Sequence, residues 1–562
     1  MIRSKEYRRI VKEMAQVESE KHDGIDELAF FALVAWLQQK KSADQLRAYL
    51  DEAPWDDAVS SYLKNIFSRY SAVLFPAAEN LSEEEVKGIL ASLPLRRGIS
   101  FTELPAGVSA LARMLLQLKK GDRVADLCAG LDDFSLATCR DYPGITCLAV
   151  DKDNKAYIGA VLRTVLTGMP IDNRCADVLE PSAIPDGQEP DKIFSWVPLR
   201  QRYRDLADQI RKYPALSELF FGEKRSISTE WVFAAVAAVR HTPSGRAVVM
   251  MPGQGLYNNV DREVRQEFLR RGWIEGVIAL PDRMLPSSAI GFYLLVLSEN
   301  NDSVRMVDGT SFFKAERRQK MLTEEDVERI MDCYEKDMEK SGGLSLTQLA
   351  ANDYVLEPQR YLTKTDARLE DAWTVGEVCT VARGFSAGGK LLDDLSSYQA
   401  TPYRYLMVKD LENGSIRPDL PYLKELPLRG EAACLQEGDI LLSKTGPFKT
   451  ALADDLYEEK VLVTGNVYIL RCHSDVIEPT YLMLYLQSQL GKSELDYWAK
   501  GSHIQNISIA DLKKVRIPKV AKEKQQKIAG NYRKLVQAIK ETQETLMVLQ
   551  QSMRQLLAGA GK

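Results

Sequence analysis

An α/β protein of several units is predicted, and three observations predict it. Between Gly121 and about residue 300, short apolar runs bounded by Asp, Gly and Pro alternate with helical stretches. That order makes a doubly wound, parallel-rich sheet with helices on both faces. The chain has 562 residues, well past the roughly 250–300 at which one hydrophobic core stops growing, so three or four units are expected. The final segment carries an unbroken apolar repeat of a different period, which sets it apart from everything before it.

Residues 1–95 read as helix after helix. Residues 27–39 and 43–50 carry apolar side chains at helical spacing, and Ser82-Glu83-Glu84-Glu85 has the pattern of a capping box. Residues 96–345 hold the sheet, with strands expected at 123–127, 145–150, 192–197, 247–251, 273–280 and 292–297 and helices at 155–166, 229–240 and 260–271. The stretch 315–341 reads as a polar helix, Ser341-Gly342-Gly343 as a bend leaving the sheet, and 346–370 as a linker. Residues 371–520 are short β-type segments separated by Gly, Pro and Asp, an α+β unit. In 521–562, Ile528, Tyr532, Leu535, Ile539, Thr542, Leu546, Leu549, Met553 and Leu556 are spaced 4-3 throughout. This is the a/d seam of a coiled coil; the alternative is a stripe packed on its own domain.

Composition removes several function classes. Mean hydropathy is -0.25, and the longest apolar stretches, 231–239 and 293–297, fall short of the roughly 20 residues of a spanning helix, so no membrane partner is expected. The start, Met1-Ile-Arg-Ser-Lys-Glu6, lacks a signal-peptide core, which points to the cytoplasm. Eight cysteines without a C-x-x-C pair are expected to be buried thiols, and four histidines without H-E-x-x-H give no metal site and no Ser-His chemistry. A net charge of -5 gives no global pull toward nucleic acid, which leaves local patches to decide.

The turn after the first strand reads Asp126-Leu-Cys-Ala-Gly130-Leu-Asp-Asp-Phe134, with Phe101-Thr-Glu-Leu-Pro105 upstream, Val150-Asp151 before a long helix and Ala176-Asp177 after a third strand. This ordered set resembles the N6-adenine DNA methyltransferases of type I restriction-modification systems. The resemblance implies a Rossmann-like class I methyltransferase domain in which Asp126, Gly130, Phe134, Asp151 and Asp177 surround S-adenosylmethionine. It fails where the chemistry is done. The family's Asn-Pro-Pro-aromatic loop aligns with Trp196-Val-Pro198-Leu199, and indole donates a hydrogen bond but accepts none, so it cannot polarise an adenine amino group. Ser195 lies one residue early, where strand alternation aims it at the opposite face. Asp132 and Asp133 replace two loop glycines, adding bulk and negative charge near the ligand's carboxylate. The family acid at the end of the second strand aligns with Ala149, leaving Asp151 as a substitute two residues on. The expectation is a site with degenerate Ser195, Trp196, Pro198 and Leu199 that does not hold the cofactor.

Residues 371–520 are similar to the target recognition domains of type I specificity subunits. The similarity rests on Thr374-Val-Gly-Glu-Val378 with Arg383-Gly384, Glu437-Gly-Asp-Ile440 through Gly446, Thr464-Gly-Asn-Val467, the stretch 481–488, Gly501 through Ser508 and Ile517-Pro518. It implies double-stranded DNA as partner. Lys444, Lys449, Lys500, Lys513, Lys514 and Arg516 are expected to meet phosphate, and Gln505 and Asn506 to read base edges, the alternative for the lysine run being a solvated helix face. Gly384-Phe-Ser-Ala-Gly-Gly-Lys390 mimics a phosphate loop, but Leu391 replaces the required Ser or Thr.

The sequence thus points to a DNA-reading protein of a restriction-modification or phage-defence system, a homodimer through its last helix, with nuclease or other defence subunits as further partners. An active adenine methyltransferase and an effector-recruiting subunit are the alternatives.

Overall fold

The computed structural model describes residues 5–17, 22–53, 55–93, 95, 103–198, 210, 213, 216, 227–285, 288–317, 319–362, 366–386, 389–454, 459–499 and 505–559. Leu199, Lys500, the stretch 501–504, Phe101-Thr102, Ala387-Gly388 and the side chain of Leu556 lie outside that set. The chain divides into two compact units, Met1–Leu362 and Thr363–Lys562.

In the first unit, nine strands make one sheet: β1 (Arg123–Leu127), β2 (Thr146–Asp151), β3 (Ile171–Cys175), β4 (Lys192–Trp196), β5 (Arg246–Pro252), β6 (Ile274–Ala279), β7 (Phe292–Leu297), β8 (Ser303–Asp308) and, beyond a small hairpin of β9 (Lys314–Ala315) and β10 (Lys320–Met321), β11 (Ser341–Ser345). Their spatial order is β3-β2-β1-β4-β5-β7-β6-β8-β11. β7 and β11 run antiparallel to their neighbours and the rest are parallel. After β3 the chain crosses back to place β4 beside β1, with Leu127 opposite Ser195. A doubly wound sheet opens its ligand crevice at the carboxyl ends of such a reversal. Central strands such as β5 and β7 are buried along their whole length, as expected of strands covered on both faces.

The helices of 1–95 close their core on the sheet domain. Phe30, Phe31 and Leu33 of the buried helix Gly24–Lys40 share one apolar cluster with Tyr157, Ile158 and Leu162 of Asn154–Thr167. Their caps are as the spacing predicts: Ser82 and Glu85 satisfy each other's backbone amides.

Three expectations need correction. The stretch 315–341 is not one helix: it is the β9/β10 hairpin and then Glu324–Glu335, whose start is fixed by the reciprocal cap of Thr323 and Asp326. Ser341-Gly342-Gly343 is no exit bend but part of edge strand β11, paired with β8, a position where glycine is tolerated because only one side is paired. The stretch 346–362 is not a linker either. Leu349 and Leu356 are fully buried in the sheet's core, and the Arg265 guanidinium donates through Nε to the Tyr354 carbonyl at 2.7 Å.

The second unit is α+β. Cys379–Arg383, Val467–Cys472, Ile440–Ser443 and Thr450–Leu452 form an antiparallel sheet in that order. Ser396–Ser397, Tyr422–Leu423, Tyr403–Leu406 and Lys460–Val463 form a second. The last helix, Lys522–Gly559, runs 38 residues. Its root is packed, with Gln525 and Ala529 buried and Ile528 and Tyr532 against the domain core. From Arg533 to Arg554 every side chain is exposed, Leu535 at 64% and Leu549 at 61%. Among the described residues no helix is long and apolar enough to cross a membrane.

Candidate functional site

The turn after β1 is built around three residues in left-handed backbone, Cys128 (φ 66°), Gly130 (φ 57°) and Asp132 (φ 61°). A side chain on Gly130 would meet nothing within 4 Å, so the loop faces open space there. The Gly130 amide donates to Asp151 at 2.8 Å, and the other Asp151 oxygen accepts from the Asp153 amide at 2.9 Å. Asp151 therefore braces the loop from the end of β2. Asp177 accepts from the Leu179 amide at 3.0 Å and pairs with Lys152. Asp126 is buried and takes the Ser135 hydroxyl at 2.9 Å, and burial, then nearby Asp132, holds its pKa well above the usual carboxylate range. These carboxylates gather round Cys128: burial and then Asp151, Asp126 and Asp177 raise its thiol pKa. Phe134 is core, stacked on Phe194 with ring centroids 4.2 Å apart.

Asp132 and Asp133 do not fill the loop, contrary to the sequence expectation. Asp132 sits in left-handed backbone (φ 61°), which turns its carboxylate inward to the Asn173 amide and, at 3.3 Å, the Thr164 hydroxyl. It is wholly buried, and desolvation lifts its pKa to about 7. Asp133 accepts from Arg163 at 3.0 Å and from the Leu104 amide at 3.3 Å, tying the segment before Pro105 to the helix Asp133–Asp141. Arg163, Thr164 and Asn173 went unnoticed because nothing in their spacing marks partners 30 to 41 residues away.

The end of β4 carries Ser195 and Trp196. Ser195 is fully buried on the face of Ile193 and Val197, and its hydroxyl has no hydrogen-bond partner among the described residues. Trp196 takes the other face, partly exposed, edge-on to Phe292 at 6.2 Å. Pro198 is half-buried. An indole therefore stands at the mouth of the crevice.

A second site lies at one end of the sheet in the second unit. Antiparallel pairing brings the end of Cys379–Arg383, the start of Val467–Cys472, the end of Ile440–Ser443 and the start of Thr450–Leu452 together. Lys444 and Lys449 flank the turn there, closed by the Ser443 hydroxyl, which accepts from the Lys449 amide and donates to the Thr445 carbonyl, both at 2.9 Å. The segment holding Gln505 and Asn506 is laced onto this turn: the Gly446 amide donates to the Gln505 carbonyl at 2.9 Å and the Ile507 amide to the Lys444 carbonyl at 3.1 Å. Asn466, which the sequence reading quoted but gave no role, joins by accepting the Lys444 amide on its carbonyl at 2.8 Å. Lys444 and Lys449 have no carboxylate partner among the described residues, so both are available to phosphate.

Of the other four expected phosphate contacts, Lys500 lies outside the described residues and three stand elsewhere. Arg516 forks onto Glu494, which is 5% exposed, with contacts of 2.6 and 3.1 Å, and so is spent on neutralising a buried acid. The Lys514 ammonium lies over the Trp498 ring at 5.3 Å, and Lys513 is exposed beside Gly376.

A family model described as N-6 DNA methylase matches residues 96–370, and one described as type I restriction modification DNA specificity domain matches 371–548. The chain thus carries one stretch matching each family, joined end to end. Within this methylase–specificity chain, 98 residues are 26% identical to the methylase subunit of the type I restriction enzyme MpnII from Mycoplasma pneumoniae, a stretch that is 17% of this chain and 18% of that protein. Among solved structures, the type I methyltransferase subunit of Streptococcus thermophilus is 17% identical, with 63% of this chain and 98% of that one covered at a TM-score of 0.48. The type IIG restriction endonuclease BpuSI is 12% identical, with 95% and 75% covered at 0.49. The chain spans less than a fifth of the length of that MpnII methylase subunit.

Proposed function

We propose that the chain is a sequence-reading, double-stranded DNA-binding subunit of a restriction-modification or phage-defence system, in which the methylase fold serves as clamp or scaffold and no longer transfers methyl. The observation that carries it is the sheet end where Lys444 and Lys449, unpaired with any described carboxylate, stand beside Gln505 and Asn506. Cations there supply affinity through phosphate, and amides can read bases. Trp196 supports the loss of transfer, since a donor-only indole stands where the adenine amino group needs an acceptor.

S-adenosylmethionine is the cofactor that the methylase family implies, and it would supply the methyl group. The loop fits such a ligand: space opens at Gly130, the carboxylates of Asp132 and Asp133 are turned away, and Asp151 and Asp177 are the groups that would hold it. This open loop favours a second reading, an active adenine methyltransferase. Tritiated methyl transfer to plasmid DNA separates the two: we expect background counts together with duplex binding, and labelled adenine would establish the second reading. Absent or salt-insensitive DNA binding would leave the effector-recruiting reading.

The exposed seam of Lys522–Gly559 supports pairing with a second copy, giving a two-fold complex on a bipartite DNA site. A nuclease or other defence subunit is the competing occupant.

A further inference from the structure

We propose that Arg383 is a base-reading residue of the sheet end, selective for guanine; this rests on the DNA-binding reading above. Arg383 is the last residue of its strand and lies opposite Tyr468, whose hydroxyl donates to the Ile507 carbonyl at 2.8 Å, next to Asn506. It therefore belongs to the same edge as Lys444, Lys449, Asn466 and Gln505. Its backbone is pinned: the Gly384 amide donates to the Val467 carbonyl at 3.0 Å, and the chain passes so close to Thr464 that a side chain at position 384 would come within 2.2 Å of its carbonyl oxygen. Only glycine fits after this arginine.

The side chain is exposed yet tethered, because Nε donates to the Gly465 carbonyl at 3.1 Å. That bond uses one of the five guanidinium donors and leaves the two terminal amino groups as a fork. Arg368, Arg404, Arg417, Arg471, Arg516 and Arg533 of the same unit each hold a carboxylate. Arg383 holds none among the described residues. A positioned arginine fork without an internal acid matches the paired acceptors O6 and N7 of guanine in the major groove. A phosphate contact needs no such tether, and Lys444 and Lys449 already supply that role.

The test is selection of bound duplexes from a randomised DNA library by the full chain, with Arg383→Ala, Arg383→Lys and Lys444→Ala variants matched for melting temperature. Arg383→Ala should erase a guanine preference at one position and weaken binding to the selected site by about ten- to a hundred-fold, while other positions keep theirs. Arg383→Lys, which keeps charge but loses the fork, should also lose that preference. Lys444→Ala should weaken all sequences alike and lower the salt slope by about one. If wild type selects a site and Arg383→Ala selects the same one, the assignment is overturned and the DNA-binding reading stands. If wild type selects no site, both fall.

Discussion

A buried carboxylate whose pKa rises on folding makes stability depend on pH. Asp132 moves from near 3.9 in an unfolded chain to about 7. The stability of its protonated form is therefore complete below about pH 4 and is lost as pH climbs toward 7. Asp132→Asn keeps an acceptor for Asn173 and tolerates the left-handed backbone, so it should be more stable than wild type at pH 8, by on the order of 2–4 kcal/mol, and equal to it near pH 4. Denaturant titration at the two values checks this. Arg516→Ala leaves Glu494 buried without its partner and should cost about 2–4 kcal/mol, read as a lower melting temperature, with the salt dependence of DNA binding unchanged. Neither role was legible in the sequence. That Asp126 lies at the end of the first strand and that Gly130 lies in the turn after it was legible from the apolar run and the Gly that follows it. The partners that redirect Asp132 and Arg516 were not, because they come from other elements, 41 and 22 residues away along the chain.

At the level of elements, apolar runs proved a sound guide where both faces of a strand are covered. β1 and β7 fall at 123–127 and 292–297 as predicted. β11, an edge strand of Ser, Gly and Leu, carries little apolar signal, and 346–370 reads as a linker because the anchors in it, Leu349 and Leu356, are isolated. The root of the last helix offers a sharper test. The Gln525 side chain accepts from the Glu478 amide at 2.9 Å and donates to the Val520 carbonyl at 2.7 Å. Gln525→Ala strands two backbone groups and should lower stability by about 2–3 kcal/mol in a thermal melt. The exposed seam beyond it should behave differently: changing Leu535, Leu546 and Leu549 to Glu should leave the melt of the domain intact and convert a dimer to a monomer in light scattering. A wild-type monomer at tens of micromolar without DNA would refute the pairing.

For the whole molecule, net charge pointed nowhere, and one sheet end carries the nucleic-acid proposal. Binding to duplex DNA should fall steeply with salt, and Lys444→Ala with Lys449→Ala together should reduce the slope of log affinity against log salt by about two, measured by fluorescence anisotropy. The long helix adds a mechanical constraint. Arg533, bonded to Glu478 and Thr480, is the last side chain among the described residues tied to the body of its unit, and the helix continues about 40 Å beyond it. Over that length a tilt of 5° at the base sweeps the tip by about 3 Å, roughly one base-pair step. Under the proposed pairing of two copies, the Glu478–Arg533 and Gln525 contacts would be the bearing of a lever, and slackening them should broaden the tolerated gap between two half-sites without altering the sequence of either.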